Sequence, residues 1–177
     1  LFDPSVEMPE DAYQGVDIIE HAEAFREIYG DQYVHCDSKE RREALVGYAL
    51  PKNIAGLERD LKKYRIVYDN WFRESTLHKD GSVKRVVEEL TNRGYTYEQE
   101  GAVWFKATDF GADKDFVLVR ANGIPTYIVP DIAYHYDKLM TRKFDRAIDI
   151  LGADHHGYVP RLKAALTAMG ADASRLD

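Results

Sequence analysis

Residues 149–162 read DILGADHHGYVPRL and set Asp154, His155 and His156 between an apolar run and an expected helix. Two histidines beside a carboxylate are suited to metal ligation, to acid/base work or to the polar lip of a substrate pocket. Gly152 and Gly157 bracket the cluster, where backbone can approach a ligand closely, and the following helix would offer amide N–H groups to an anion or hydroxyl. A second polar spot lies in TYIVPD, residues 126–131, where the Tyr127 hydroxyl and the Asp131 carboxylate flank an apolar, β-branched stretch. In open α/β sheets ligands bind beyond the carboxyl ends of strands, which is where both spots fall if the stretches before them are strands.

The elements that would position these groups follow from apolar periodicity. Ile18, Ala22, Phe25, Ile28 and Tyr29 share one helical face, and Gly30 is a C-terminal stop. Ser38 is suited to cap a short helix reaching Leu50 and Pro51, and a second, long helix is expected to carry Ile54, Leu57, Leu61, Tyr64, Tyr68 and Trp71 as one stripe. Val83, Val86, Val87 and Leu90 give a further helix ending near Gly94, and TYEQEGAVWFKA changes period and reads as a β-hairpin. FVLVR, an Asn122-Gly123 turn and residues 125–129 read as a second hairpin, with a bend at Pro130 leading into a helix from Asp131. AIDIL (147–151) is expected to be a buried strand, and Leu162, Ala165, Leu166 and Met169 mark a last helix before Gly170.

This order predicts an α/β fold: a partly parallel sheet with flanking helices and an inserted helix and β-hairpin region. The expected divisions are a helical lead-in at 1–50, a long helix with inserted helix and hairpin at 51–114, and sheet-forming material at 115–177.

Composition narrows the class. Hydrophobic residues are 45% and charged residues 31% of 177, which excludes a disordered chain, and no apolar run is long enough to span a bilayer. The net charge of −7 argues against a large nucleic-acid-binding face, since neutralising phosphates needs surplus Lys and Arg, while contact with one RNA end stays open. One cysteine, Cys36, allows no internal disulfide and fits a reducing compartment. No signal peptide is evident, and a chain beginning at Leu1 is expected to be processed or excised from a longer one.

The triplet DHH resembles that of metal-dependent phosphoesterases, but such sites need further aspartates upstream. Here Asp145 and Asp149 flank or lie within the expected strand, Asp149 alternating outward, and adjacent residues tend to point apart. No protein-bound metal is therefore expected. A DHH-type metal-dependent phosphoesterase and a non-catalytic module binding arginine or a nucleotide remain alternatives, as does a capping Asp154 with hydrogen-bonded His155 and His156.

EDAYQG, DNWFRESTLHKDG, EGAVWFKATDFGADKDFVLVRANGIPTYIVPDIAYHYDK and FDRAIDILGADHHGYVPRLKAAL, in that order across nearly the whole chain, resemble bacterial arginyl-tRNA synthetases. The resemblance lies in the class I catalytic region, between its HIGH-type and KMSKS-type signatures, and neither signature occurs in this sequence. It implies part of a Rossmann-type sheet in a fragment of a cytoplasmic enzyme, inactive by itself, whose parent activates arginine with ATP and Mg2+ to arginyl-adenylate and transfers it to tRNA(Arg). It implies arginine binding by Tyr127, Asp131 and His155, ATP binding by Gly152, Asp154 and His156, and no catalytic residue within the fragment. The chemistry is consistent: a guanidinium is a planar cation with five donors, matched by two carboxylate acceptors and a phenolic oxygen. Tyr134 and His135 match the family pattern too, and on a helix could equally be packing residues.

Overall fold

A computed structural model describes residues 7, 12, 13, 15–152 and 157–177, and the chain falls into two units, Leu1–Trp71 and Phe72–Asp177. The sequence-expected residues Asp154, His155 and His156 lie outside the described residues.

In the first unit α1 (Val16–Tyr29) packs on α2 (Ser38–Lys63). Phe25 is the buried residue of α1, and its ring meets those of Tyr29, Tyr33 and Tyr48 at centroid distances of 4.5, 5.4 and 5.4 Å. The connection between the helices is held by Arg41, whose guanidinium donates to the carbonyls of Tyr33, Val34 and Cys36 at 2.8, 2.7 and 2.9 Å.

Two expectations change here. Asp37, not Ser38, caps α2, its carboxylate accepting from the backbone N–H groups of Lys39 and Glu40 at 2.8 and 3.0 Å. The short and long helices are one, running through Pro51, and the helix stops at Lys63 although the apolar stripe continues to Trp71. The stop is a Schellman turn: Arg65 adopts φ 63°, its N–H donates to Lys62 O at 2.9 Å, and Ile66 N–H reaches back to Leu61 O at 3.0 Å. A glycine would have signalled it; an arginine does not.

The second unit carries the core. After the short α3 (Ser75–Lys79), α4 (Ser82–Asn92) buries Val83, Val86 and Leu90, as the periodicity predicts. The expected hairpin is β1 (Thr96–Gln99) and β2 (Ala102–Phe105), joined at Glu100 and Gly101, both with positive φ. β3 (Phe116–Val119) adds an antiparallel partner, giving the order β1-β2-β3. Phe105, Leu90, Leu118, Ile132, Leu139, Leu162 and Leu166 are fully buried where this sheet meets the helices.

The strand expected at 125–129 is reduced to one bridge, Val119 to Pro125, and a bond from Thr126 N–H to Leu118 O at 2.8 Å. α5 (Ile128–Tyr136) takes over at once, so the chain turns before Tyr127 and not at Pro130. Pro130 sits in the first helical turn, where a missing N–H leaves no intrahelical bond unmade. A π-helical turn (Asp137–Thr141) continues α5, and α6 (Val159–Ala168) closes the core.

AIDIL is likewise shorter than expected as a strand. Ala147 forms a single parallel bridge to Leu176, with Asp149 N–H donating to Asp177 O at 2.7 Å. Its polarity is the reverse of the expectation: Ile148 and Ile150 are 64% and 97% exposed, while the Asp149 side chain turns inward. The described part is thus an α/β arrangement of helices on a small antiparallel sheet, with its parallel pairing confined to this bridge.

The burial pattern gives a direct contrast. Leu90→Ala, which opens a cavity in the core, is expected to lower unfolding free energy by about 3 kcal/mol, and Leu57→Ala on the exposed side of α2 by less than about 0.5 kcal/mol. Urea denaturation of the two variants beside the parent measures both.

Candidate functional site

α5 is the element around which polar groups gather. Its first turn begins at Tyr127, and residues four apart lie on one helical face, about 6 Å apart along the axis. Tyr127 and Asp131 therefore sit one above the other, which the extended reading of TYIVPD did not allow. Asp131 is not the helix cap; that position is Tyr127.

Tyr158, in the turn before α6, joins this pair. Its hydroxyl donates to Asp131 Oδ2, and its ring stacks on Tyr127 at 5.7 Å between centroids with 23° between planes. Burial, then the hydrogen bond to Asp131 and its charge, push the Tyr158 hydroxyl far above the ordinary tyrosine range. It remains a donor at physiological pH. Tyr127 is 67% exposed, so the carboxylate is flanked by an open aromatic wall on one side and a half-buried ring on the other.

One turn further along α5 is His135, buried to 6% exposure. Its Nδ1 lies 2.7 Å from the carbonyl oxygen of Asp131, and its Nε2 bonds Asp149 Oδ2. The Lys138 ammonium donates to Asp149 Oδ1 at 2.9 Å, stands 3.3 Å from His135 Nε2, and covers the Tyr134 ring at 4.4 Å. Tyr134 in turn stacks on Phe72 at 4.1 Å.

Burial pushes the Asp149 carboxyl up, but the bonds from His135 and Lys138 and their charges outweigh it and hold the group at about 2. Asp149 lies three residues before Gly152, so this pairing ties the segment leading to Gly152 to the helix carrying Asp131.

Of the sequence-expected residues, Tyr127 and Asp131 come together, and Gly152 lies exposed at the end of the segment that Asp149 anchors. Tyr158, Asp149 and Lys138 were missed. A signal was available for Lys138 alone, since Asp131, His135 and Lys138 follow helical spacing of four and three; Tyr158 and Asp149 reach α5 only through the tertiary fold. A cleft of about 540 Å3 meets α5 at Ala133 and Tyr136, lined also by Phe72, Arg85 and Glu89, and contains none of the expected residues. The convergent carboxylate and aromatic groups, and not this cleft, define the candidate site. Among the described residues no three His, Cys, Asp or Glu side chains are arranged to hold a metal ion.

Comparison with known proteins places this arrangement in a class. Residues 31–177 match the family model for tRNA synthetases class I (R), catalytic domain. The arginine–tRNA ligase of Caldanaerobacter subterraneus subsp. tengcongensis is 55% identical over 171 residues, 97% of this chain and 30% of that protein. That of Acetivibrio thermocellus is 53% identical over 173 residues, 98% of this chain and 31% of that protein. A crystal structure described as an arginyl-tRNA synthetase from Campylobacter jejuni superposes with a TM-score of 0.85 at 35% identity, covering 97% of this chain and 37% of that one. The chain belongs to the arginyl family of class I tRNA synthetases, within the catalytic domain, and spans about 30% of the length of the curated relatives it matches.

The Asp149 pairing predicts an acid-sensitive contribution to stability. The folded-state carboxyl lies at about 2, below its unfolded value, so the contribution is present above the unfolded value and lost as pH falls towards the folded one. Asp149→Asn is expected to remove about 2 kcal/mol at pH 7 and to flatten the parent's loss of stability between about pH 4 and 2, followed by urea midpoints against pH.

Proposed function

We propose that this chain contributes the arginine side-chain pocket and part of the nucleotide pocket to an arginine–tRNA ligase. The observation that carries the reading is the carboxylate of Asp131 set beside two tyrosines at the start of α5. A guanidinium presents two parallel N–H groups to a carboxylate and a flat face to an aromatic ring, and a lysine ammonium cannot reproduce that fork. Asp131 supplies the charge, Tyr127 a hydroxyl and ring at the open side, and His155 a further polar contact. Gly152, Asp154 and His156 are assigned to the adenosine side, where a glycine gives clearance and a carboxylate accepts ribose hydroxyls. The relatives' names support arginine as the amino acid and tRNA(Arg) as its acceptor, membership of the class I synthetases supports ATP as the third substrate, and the cytoplasm is proposed as the compartment. Mg2+ enters with ATP as part of the substrate.

Activation is an in-line attack of the arginine carboxylate on the α-phosphate of ATP, so the protein's task is to hold the reactants and match developing charge. The residues of this chain act on the amino acid's far end. By gripping the guanidinium they fix where its carboxylate lies, and the glycine-bracketed segment 152–157 meets the nucleoside. Residues 115–177 are read as the second part of the Rossmann-type domain, with 51–114 as inserted material and 1–50 as the lead-in. No residue here is assigned to phosphate chemistry, and the chain alone is expected to be inactive.

In the longer enzyme, Asp131→Asn is expected to weaken arginine binding about a hundredfold, from the roughly 3 kcal/mol of a charge-assisted bidentate pair, with ATP binding changed less than about threefold. Calorimetric titration with each ligand measures this, and equal losses for both would reject the assignment. The reading frame on either side of this segment is expected to encode a HIGH-like string upstream and a KMSKS-like string downstream; sequencing the flanks checks it.

A further inference from the structure

The proposed chemistry makes no use of His135, Asp149 and Lys138, yet they form the most enclosed polar cluster among the described residues of the second unit. His135 is 6% exposed, and the side chains of Asp149 and Lys138 are each 17% exposed. Burying such groups costs several kcal/mol before pairing recovers it, and an apolar set of similar volume would hold the helix at least as firmly. What an apolar set cannot supply is direction.

Direction is where the cluster is built to act. His135 Nδ1 donates to the carbonyl oxygen of Asp131 at 2.7 Å, so the ring grips the peptide unit of the residue whose carboxylate faces Tyr158. The other ring nitrogen is fixed by Asp149, and Asp149 is fixed by Lys138 at 2.9 Å and through its own N–H by Asp177 O at 2.7 Å. The chain of contacts thus runs from the Asp131 backbone to the segment that leads to Gly152.

Resting on the arginine reading above, we propose that Asp149, acting through His135 with Lys138 as its counter-ion, is a positioning group. It sets the first turns of α5, and with them the Asp131 carboxylate, against the segment leading to Gly152. None of the three touches substrate. Their effect is to keep the arginine carboxylate in line with the α-phosphate, and small misplacements of a reactant are costly to the chemical step.

The test is tRNA-dependent ATP–pyrophosphate exchange by the longer enzyme carrying Asp149→Asn, Lys138→Met, or both, at a temperature well below each variant's melting point. Asp149→Asn is expected to lower kcat about tenfold and raise the arginine KM several-fold, while the ATP KM stays within about twofold. The double variant removes the unpaired ammonium along with the charge, so it is expected to recover much of the lost thermal stability without recovering kcat or the arginine KM. It also serves if Asp149→Asn alone does not fold. Parent-like kinetics in Asp149→Asn, or recovery of kinetics together with stability in the double variant, overturns the positioning role. The two readings fail separately: an Asp131→Asn enzyme with unchanged arginine affinity rejects the arginine pocket itself, whereas a defective Asp131→Asn beside a normal Asp149→Asn rejects only this inference.

Discussion

The early start of α5 is the constraint on which the rest of the site depends. Beginning the helix at Ile128 places Tyr127 and Asp131 one turn apart, and His135 and Lys138 one and two turns further along. Had the β-branched stretch stayed extended as far as Pro130, Tyr127 and Asp131 would stand roughly 13 Å apart, too far to share one guanidinium. Pro130 permits the early start because its missing N–H falls in the first turn, where no intrahelical acceptor would have served it. Tertiary packing favours it, since Ile128, Val129 and Ile132 all enter the core when the segment is helical.

A polar core beneath the Asp131 carboxylate follows the same economy. α5 is buried on one side by apolar residues, and the side nearest the 147–149 segment must satisfy an imidazole, a carboxylate and an ammonium together. They satisfy one another, which is why the Asp149 carboxyl lies far below its ordinary value in spite of burial. The arrangement gives up some stability relative to apolar packing, and on the positioning role proposed above its return is orientation between α5 and the 147–149 segment. The alternation of the 147–151 segment fits this: Ala147 and Asp149 face inward, while Ile148 and Ile150 present an apolar edge outward.

Much of the second unit was legible from periodicity because local pattern and burial agree there. α4 lies where Val83, Val86 and Leu90 predict it, the β1–β2 hairpin where period and glycine predict it, and α6 where Leu162, Ala165 and Leu166 predict it. Errors arose where a local signal was silent or outvoted. α2 continues through Pro51, which forfeits one helical bond without ending the helix, and stops at Arg65 with the geometry that Gly94 and Gly170 provide elsewhere. A residue that tolerates positive φ at some cost leaves no mark in the sequence.

The sequence by itself determined the family and the α/β class, because motif order across nearly the whole chain carries that information, and it put forward Tyr127 and Asp131 as a candidate pair. Only the tertiary structure decided that those two share a helical face, that Tyr158 closes on the carboxylate, and that Asp149 points inward to His135. The physical reason is sequence distance: Tyr158 is 27 residues from Asp131 and Asp149 is 14 residues from His135, and no local periodicity encodes a hydrogen bond across such a separation.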